Sequence, residues 1–427
     1  MKKSFIWSLC HFILITGLLA LFITPASTAE ALGSILFVSA TGSGTDCSQS
    51  NPCLPWDAMD KAIEGDMLLF AGGDYFGISD PFLTINKAVT LQGGWDGAPT
   101  GDVLIDPESN YSWIDGEGSR ALFEVNETTS VDGKVTISNF IFIDGHAAVK
   151  GGAINIINGL VDVIDNTFSV NYAGTYGGAI YTQSSDKVHI IDNYFSNNWV
   201  GTGLGNDSSS GGGAIMTGSG GDVLIEGNHF SGGHAGYGTA IHNDESELII
   251  NRNYFYDMDD NHVIDLYSNS VGNIVSNNMI LWSYGNAIRL HGANTGAFQI
   301  INNTIFGGDA GLYVQSPSLA FAVNNIFSEC VTGITNSSAN LTGTNNLFYN
   351  NESDLVVLTD PLVDVDPQFV DPVNDDIHLS SDSPAIDAGV VVALTEDFDG
   401  DSRPLGNGYD IGADETGIFL YLPLILK

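Results

Sequence analysis

The sequence predicts an all-β solenoid built from short stacked strands, and three observations support this prediction. An Asn followed two residues later by Phe, Ile or Leu recurs at spacings of 21 to 35 residues. The residues before each Asn alternate between apolar and polar side chains, which is the period of a strand with one buried side. A Gly-Gly-Ala-Ile motif recurs at a second position in three repeats, and looser copies of it follow in the later repeats. Because so short a repeat cannot bury its apolar side alone, we expect neighbouring repeats to stack.

The recurring Asn residues predict a ladder of side-chain amides at one corner of every coil. An amide at this corner can hydrogen-bond to the coils above and below it. The one long spacing contains a loop at residues 201–212 that is rich in Gly, Ser and Asn. The predicted ladder comprises Asn139, Asn166, Asn193, Asn228, Asn253, Asn278, Asn303, Asn325 and Asn346.

The two ends of the chain differ from the repeats. Lys2 and Lys3 precede an apolar stretch and then small residues, which predicts a signal peptide at residues 1–29, with an uncleaved membrane anchor as the alternative. We expect no transmembrane span in the mature chain. The apolar residues 417–427 are too few to cross a bilayer, and two interpretations remain open for them: a last strand over the end of the solenoid, or a tail for surface retention.

The charge excludes one large class of partner. The chain carries 12 Lys and Arg against 51 Asp and Glu, a formal net charge of −39, so we expect no binding to nucleic acid. The same charge repels acidic polysaccharides and anionic lipids unless a cation intervenes. With 43% hydrophobic residues and 15% charged residues, the chain is too apolar to be disordered.

The cysteines and the segments between them complete the domain organisation. Cys47 and Cys53 lie in a short polar loop, and export favours a disulfide between them, whereas Cys330 is expected to be a small buried residue. An N-terminal cap is predicted at residues 30–65, with a short helix at 56–63. The parallel β-helix is predicted at residues 66–350, and an irregular C-terminal module at 351–416.

These motifs resemble those of right-handed parallel β-helix proteins of the pectin-lyase-like class. Phe168-x-x-Asn171 and Phe195-x-x-Asn198 look like polymorphic outer-membrane-protein repeats, and residues 65–75 resemble the first coil of such proteins. Residues 382–389 and the Asp-Ile-Gly-Ala-Asp-Glu segment at 410–415 resemble a C-terminal module of secreted bacterial β-helix proteins. The resemblance implies an exported bacterial protein, extracellular or at the cell surface, in a class that contains lyases, hydrolases and adhesins.

The register of the Gly-Gly-Ala-Ile strands predicts which side chains face outward. If each Ile points inward, the residues one and three positions later point outward, and adjacent coils bring them about 4.8 Å apart. Consecutive coils then display polar and aromatic groups together, and aromatic residues lie in the connections that precede these strands: Trp199, Tyr237, Trp282 and Tyr284. The outward residues selected as candidates are Tyr181, His242, Asp244, Asp265, Tyr267, Arg289, His291, Tyr313 and Gln315.

Polar side chains next to aromatic rings suit sugars, so we predict a groove that binds a polysaccharide or a cell-surface glycan. The leading hypothesis is a monomeric, adhesin-like or glycan-binding protein, and a purely structural surface protein is a further alternative. The rival hypothesis is a polysaccharide lyase, with Arg289 as base and Asp244 and Asp265 holding Ca²⁺, or a glycoside hydrolase that uses these two carboxylates. A plain cross-strand ladder of Asp265 with Arg289 also explains the pattern.

One further cluster suits a metal ion. Asp397, Asp399 and Asp401 alternate in a loop, and carboxylates in this arrangement suit Ca²⁺. The loop is not an EF-hand, because Ser402 and Gly408 occupy the positions that require Gly and Glu. Calcium is the only cofactor that the sequence suggests.

Overall fold

The structure is a computed structural model that describes residues 33–127, 133–184, 186–201, 210–258, 261–267, 273–293, 296–338, 340–354 and 358–417. The predicted signal peptide lies outside the described residues, as do most of the 201–212 loop and all but the first residue of the apolar tail. Within the described part of the chain, no helix is long and apolar enough to cross a membrane.

Three parallel sheets contain most of the described strands, and neighbouring strands of a sheet come from successive coils. Sheet 1 comprises Ile35–Val38, Met67–Ala71, Thr90–Trp95, Lys134–Ser138, Leu160–Ile164, Val188–Ile191, Asp222–Glu226, Glu247–Asn251, Ile274–Ser276, Phe298–Ile301, Ala320–Val323 and Leu341–Thr344. Sheet 2 comprises Gly73–Phe76, Ser112–Asp115, Phe140–Ile143, Thr167–Ser169, Tyr194–Ser196, His229–Ser231, Tyr254–Tyr256, Met279–Leu281, Thr304–Phe306, Ile326–Ser328, Leu347–Tyr349 and Leu362–Val363.

Sheet 3 carries the Ala-Ile strands. It comprises Leu83–Ile85, Phe123–Asn126, Ile154–Asn158, Ile180–Thr182, Ile215–Thr217, Ile241–Asp244, Ile264–Tyr267, Asn286–His291, Ala310–Val314 and Thr332–Asn336. The other described elements are the α-helix Pro55–Lys61, a corner sheet of His146–Ala147, Tyr172–Ala173 and Trp199–Val200, the antiparallel pair Phe369–Asp371 and Asp376–Leu379, and a 3₁₀ turn at Pro372–Asn374.

Each coil runs from sheet 1 through the Asn corner to sheet 2, and then through a longer connection to sheet 3. The predicted parallel β-helix is therefore confirmed, and its paired strands extend from residue 35 to residue 363. The core consists of the inward side chains of all three sheets. Its most regular part is a stack of Phe rings with centroids 4.7–5.0 Å apart, formed by Phe142, Phe168, Phe195, Phe230 and Phe255.

The Asn ladder explains why the coils keep a common register at this corner. The Asn253 amide group donates to the carbonyls of Ile225 and Asn251 and to Oδ1 of Asn278, and its own Oδ1 accepts the backbone N–H of Asn228. The side chain is fully buried. Every polar atom of the amide is therefore satisfied by a neighbouring coil or its own turn.

One predicted member of the ladder is wrong. In sheet 2 the strand of Phe140 pairs so that Phe142 lies opposite Phe168, and the backbone N–H of Phe140 donates to Asn166. The ladder position in this coil therefore belongs to Phe140, and Asn139 lies one residue before it with a positive φ of 62°. The short Asn-Phe-Ile-Phe segment offers two registers, and the sequence pattern selected the other one.

The C-terminal module packs along the side of several coils. A second set of Asn residues, each directly before a ladder position, donates its amide groups to backbone carbonyls of the module. Because these residues belong to successive coils, the contact runs lengthwise along the Asn corner. The residues of this set are Asn277, Asn302, Asn324 and Asn345.

The remaining local predictions concern the N-terminal region and the cysteines. The helix Pro55–Lys61 lies within two residues of the expected range, and Pro55 at its first position is compatible with a helix start. Cys47 and Cys53 form the predicted disulfide. Cys330 is buried, and burial raises the pKa of its thiol to about 12, so it packs as a small apolar side chain.

Candidate functional site

Sheet 3 aligns the predicted outward residues in one row that runs across the coils. Its inward neighbours Ile154, Ile180, Ile241 and Ile288 are fully buried, so the inward direction of the Ile series is as expected. The backbone register places the outward residues directly opposite one another, in the order Asn155, Tyr181, Met216, His242, Asp265, Arg289 and Tyr313.

Asp265 lies at the centre of the most polar part of this row. Its side chain has no exposed surface, yet its Oδ2 accepts hydrogen bonds from Nδ1 of His242 at 2.9 Å and Nε2 of His291 at 3.1 Å. Nη1 of Arg289 lies 3.6 Å from the other oxygen, Oδ1, which has no hydrogen-bond partner among the described residues. Three potential cations from two coils thus converge on one buried carboxylate.

The protonation of this carboxylate follows from its surroundings. Burial alone would raise the pKa of Asp265, but the hydrogen bonds from His242 and His291, together with their charges, outweigh burial and lower it well below the usual range. The carboxylate is therefore ionised at neutral pH. Both of its imidazole partners must donate, which leaves Nε2 of His242 and Nδ1 of His291 for other partners.

Tyr237 and Gly211 complete the site. Tyr237 was predicted only as an aromatic residue of a nearby connection, and Gly211 was not a candidate. The ring of Tyr237 lies 5.9 Å from that of His242, and the guanidinium carbon of Arg289 lies 5.3 Å from the centre of the same ring. A Cβ at Gly211 would lie 2.5 Å from Cδ2 of His242, so only glycine leaves room for this imidazole. An isolated β-bridge joins Gly211 and Tyr237, which lie in neighbouring coils just before their sheet 3 strands. No sequence period specifies the direction of side chains in these connections.

A second missed group lies before the Asp265 strand. The Asn286 side-chain amide lies 2.9 Å from Nδ1 of His262. Burial is the largest influence on this imidazole and lowers the pKa of His262 to about 4, against the opposite effect of Asp265. The neutral ring of His262 can therefore act as a polar wall of the site without adding charge.

The other candidates on sheet 3 surround this centre at different distances. Gln315 accepts a hydrogen bond from Nη2 of Arg289 at 3.1 Å, and the ring of Tyr267 lies 5.2 Å from that of His291. Tyr313 lies opposite Arg289 in the row. Asp244 occupies a second row opposite Tyr267, and no hydrogen bond or ion pair joins it to the Asp265 cluster within the described residues.

Tyr181 belongs to a separate group three coils away along the same row. The Lys150 ammonium lies 4.2 Å from the centre of the Tyr181 ring and donates to the Tyr181 hydroxyl at 2.8 Å and to Gln183 at 3.1 Å. The Tyr181 side chain is 5% exposed. Sheet 3 therefore carries two polar centres, and the one around Asp265 has the larger number of ionisable groups.

The prediction that Trp282 flanks this row is wrong. Trp282 follows a strand of sheet 2, its ring packs on Phe306 at 5.0 Å, and its Nε1 donates to Asp375 of the C-terminal module at 2.9 Å. Trp282 has a positive φ of 53°, which turns the chain at the end of that strand. Tyr284 lies in the connection that leads to Asn286–His291 and is 69% exposed.

The structure also corrects the membership of the acidic cluster. Carboxylate oxygens of Asp397, Asp399 and Asp414 lie within 4.8 Å of one another, whereas Asp401 contributes its backbone N–H to Oδ1 of Asp397. The other oxygen of Asp397 accepts the backbone N–H of Glu415. The irregular module has no repeat from which the approach of Asp414 could be predicted.

These carboxylates fit Ca²⁺ poorly. Asp399 pairs with Nε2 of His378 at 3.2 Å, and this hydrogen bond is the main reason that the pKa of His378 rises to about 9. Backbone N–H groups already occupy both oxygens of Asp397. The Asp265 cluster fits a cation no better, because imidazole donors occupy its Oδ2 and a guanidinium faces its Oδ1. The calcium prediction for either place stays a prediction.

Comparison with known proteins places the architecture in a class. Residues 123–305 match the family described as "Right handed beta helix region". A solved structure of the pectate lyase Pel9A aligns with a TM-score of 0.55 and 15% identity, covering 91% of this chain and 97% of that chain. The structure of XylC with xylose aligns with a TM-score of 0.46 and 11% identity, covering 89% and 98%. None of the curated proteins matches this chain.

The chain is thus a right-handed parallel β-helix, a fold that it shares with the pectate lyase. At this level of identity the likeness extends to the fold alone, so the activity of this protein has to be argued from its own residues.

Proposed function

We propose that this protein is exported and binds a polysaccharide or cell-surface glycan on the outward side of sheet 3, with the Asp265 cluster as the centre of the site. The observation that carries the proposal is the convergence of His242, His291 and Arg289 on one fully buried carboxylate. Such a cluster holds donors and acceptors in fixed directions, and Tyr237 and Tyr267 supply aromatic surface beside them.

The cost of this arrangement supports a functional interpretation over a plain cross-strand ladder. Burying an ionised group is unfavourable unless it is well paired, and apolar residues at such positions are often at least as stable. Oδ1 of Asp265 and Nε of Arg289 both lack a hydrogen-bond partner among the described residues. Both atoms are buried, so a ligand would reach the cluster through the partly exposed side chains of His242, Arg289 and His291.

A binding assay with a matched control tests the proposal. The purified chain is titrated with a panel of neutral and acidic polysaccharides, and the same titration is made with Asp265→Asn and Asp222→Asn. Asp222 is an exposed carboxylate on sheet 1 that pairs with Lys187, so its variant controls for loss of one negative charge. We expect saturable binding that Asp265→Asn weakens about tenfold and Asp222→Asn leaves unchanged. Equal affinity in all three proteins would contradict the proposal.

A second candidate function is β-elimination from a uronate polysaccharide, and one observation favours it. In the neutral form of His242 whose Nδ1–H donates to Asp265, Nε2 can accept a proton, as in other carboxylate–imidazole pairs. In this reaction Nε2 takes the proton from the carbon next to the sugar carboxylate, and the electron pair left behind forms the C=C bond of the unsaturated end. The glycosidic C–O bond breaks, and the departing oxygen takes a proton from water. Arg289 would pair with the carboxylate of the sugar; it cannot serve as base, because a guanidinium stays protonated in proteins.

Product analysis separates the two candidates. New ultraviolet-absorbing ends, formed by wild type and lost in His242→Gln, would establish elimination, and new reducing ends without them would indicate hydrolysis. Asp265 would then act as a positioning residue. In Asp265→Glu, the carboxylate can pair again with one imidazole, and we expect the pH profile of product formation to shift. Binding without product supports the adhesin-like function. No binding and no product would favour a structural surface protein.

A further inference from the structure

The corner between sheet 2 and sheet 3 carries a second aromatic surface that is separate from the Asp265 cluster. His146, Tyr172 and Trp199 occupy equivalent positions in three successive coils, because their two-residue strands form the corner sheet. They line a cleft of about 450 Å³ together with Asp144 and Val170. This volume lies in the range of pockets that hold small ligands.

The ring geometry leaves aromatic surface free for a ligand. The rings of His146 and Tyr172 lie 4.5 Å apart with a tilt of 36°, so each covers part of the other. The rings of Tyr172 and Trp199 are 5.5 Å apart and cross at 73°, so the indole meets its neighbour edge to face. The Trp199 side chain is 41% exposed, which is costly for so large an apolar group in water.

The chemistry of the lining selects the ligand. The cleft offers one carboxylate, from Asp144, and none of its lining residues is Lys or Arg. Together with the net charge of −39, this disfavours phosphates and acidic sugars. A neutral pyranose ring matches the two features that remain, because its C–H face packs on an indole and its hydroxyls donate to a carboxylate.

We propose that the cleft at His146, Tyr172 and Trp199 is a second glycan-binding site, and that it takes one ring of a neutral polysaccharide against Trp199. Its hydrogen-bond acceptor is Asp144 at the side of the cleft. The site does not require the Asp265 cluster, and a polysaccharide that spans both sites would bind more tightly than either site alone allows.

The test uses the full mature chain in which Asp265→Asn removes the contribution of sheet 3. Calorimetric titrations with neutral gluco-, xylo- and manno-oligosaccharides compare this protein with versions that also carry Trp199→Ala, Tyr172→Ala or Trp282→Ala. Trp282 is the matched control, because it is 42% exposed and lies on a different surface. We expect Trp199→Ala to weaken binding by about tenfold and Trp282→Ala to have no effect.

Several outcomes would overturn the second site. The second site would be contradicted if no neutral oligosaccharide binds, or if Trp199→Ala binds as tightly as the protein with Asp265→Asn alone. It would also be contradicted if only Trp282→Ala lost affinity. A thermal melt of each variant accompanies the titration, and Asp144→Asn, which keeps the shape of the cleft, replaces Trp199→Ala if that variant unfolds. Weakening by Asp144→Asn or Trp199→Ala in the presence of Asp265→Asn supports this site even if sheet 3 binds nothing.

Discussion

Two rows of polar side chains cross the coils of this solenoid, and they differ in every respect except their spacing. The Asn ladder repeats one residue type, and each of its amides is buried and satisfied by the coils next to it. The sheet 3 row changes residue type at every coil, and Asp265 and Arg289 retain polar atoms without partners in the described chain. Repetition marks the positions that hold the coils together. Variation at the same spacing marks the positions that are available for recognition.

The largest expected effect comes from the middle of the ladder. Asn253→Leu removes the donor to the Ile225 and Asn251 carbonyls and the acceptor of the Asn228 N–H. Each buried group left unsatisfied costs about 1–3 kcal/mol, so we expect the free energy of unfolding to fall by about 4 kcal/mol or more. Urea unfolding followed by circular dichroism measures this loss.

Asn155 provides the control, because it is an Asn of the sheet 3 row rather than the ladder. Its Oδ1 is buried and has no partner among the described residues, so Asn155→Ala leaves no new unsatisfied group there. We expect a change within about 0.5 kcal/mol. Equal losses for Asn253→Leu and Asn155→Ala would contradict the distinction between the two rows.

The second largest effect concerns the centre of the sheet 3 row. Asp265→Asn leaves His242, His291 and Arg289 without their shared carboxylate, and breaking a buried pair of this kind costs about 3 kcal/mol at pH 7. Because the pKa of Asp265 is lower in the folded protein than its unfolded value of about 3.9, this stabilisation is complete above pH ~4. It is lost as the pH falls through the folded-state pKa.

Urea unfolding of wild type and Asp265→Asn between pH 7 and pH 2 measures both parts of this prediction. We expect the difference between the two proteins to be constant above pH ~4 and to shrink at lower pH. Asp222→Asn, which alters an exposed ion pair, should differ little from wild type throughout. A difference between wild type and Asp265→Asn that does not shrink below pH ~4 would mean that the buried carboxylate is not ionised.

The sequence was sufficient for most of both rows because each row takes one residue from every coil, next to strands of period two. The inward Ile of each looser copy (Ile241, Ile264 and Ile288) determines, with strand period two, that the next residue faces outward. His242, Asp265 and Arg289 therefore meet across the coils. The same reasoning failed at Asn139, where an Asn-Phe-Ile-Phe segment allows two registers one residue apart. It selected the wrong register, because Asn139 and Ile141 match the motif, whereas the observed register places Phe140 at the ladder position.

The parts of the site that were not predicted come from segments without a period. Tyr237 and Gly211 precede their strands in connections of different length, so their approach to His242 depends on the path of the backbone. Trp282 points away because of a turn with positive φ, and the turn type is not encoded by the repeat. Asp414 joins the acidic cluster through the folding of an irregular module.

A smaller effect is expected where one of these segments contacts the row. The added methyl of Gly211→Ala would lie 2.5 Å from Cδ2 of His242 and displace that ring from Asp265. Overpacking of this kind costs about 1–2 kcal/mol. In Gly211→Ala/His242→Ala the clash is absent, so the double variant should be more stable than the sum of the single losses predicts. Strict additivity, measured by urea unfolding, would place Gly211 outside the site.

The smallest effect tests whether burial, rather than the pairing of imidazole with carboxylate, distinguishes the Asp265 cluster. His378 also has two carboxylate partners, Asp399 and Asp376, but it is only half buried. The pKa of His378 is raised to about 9, mainly by the hydrogen bond to Asp399. Burial opposes this shift, and the hydrogen bond to Asp376 adds to it. Because this folded-state pKa lies above the unfolded value of about 6.5, the pairs stabilise the protein fully below pH ~6.5 and lose that effect as the pH rises through 9.

Solvent screens such pairs, so we expect His378→Gln to cost less than about 1 kcal/mol at pH 6 and nothing at pH 10. Melting curves of wild type, His378→Gln and Asp399→Asn over this pH range measure the effect. A loss at pH 6 as large as that of Asp265→Asn at pH 7 would mean that burial contributes nothing to the strength of the sheet 3 cluster.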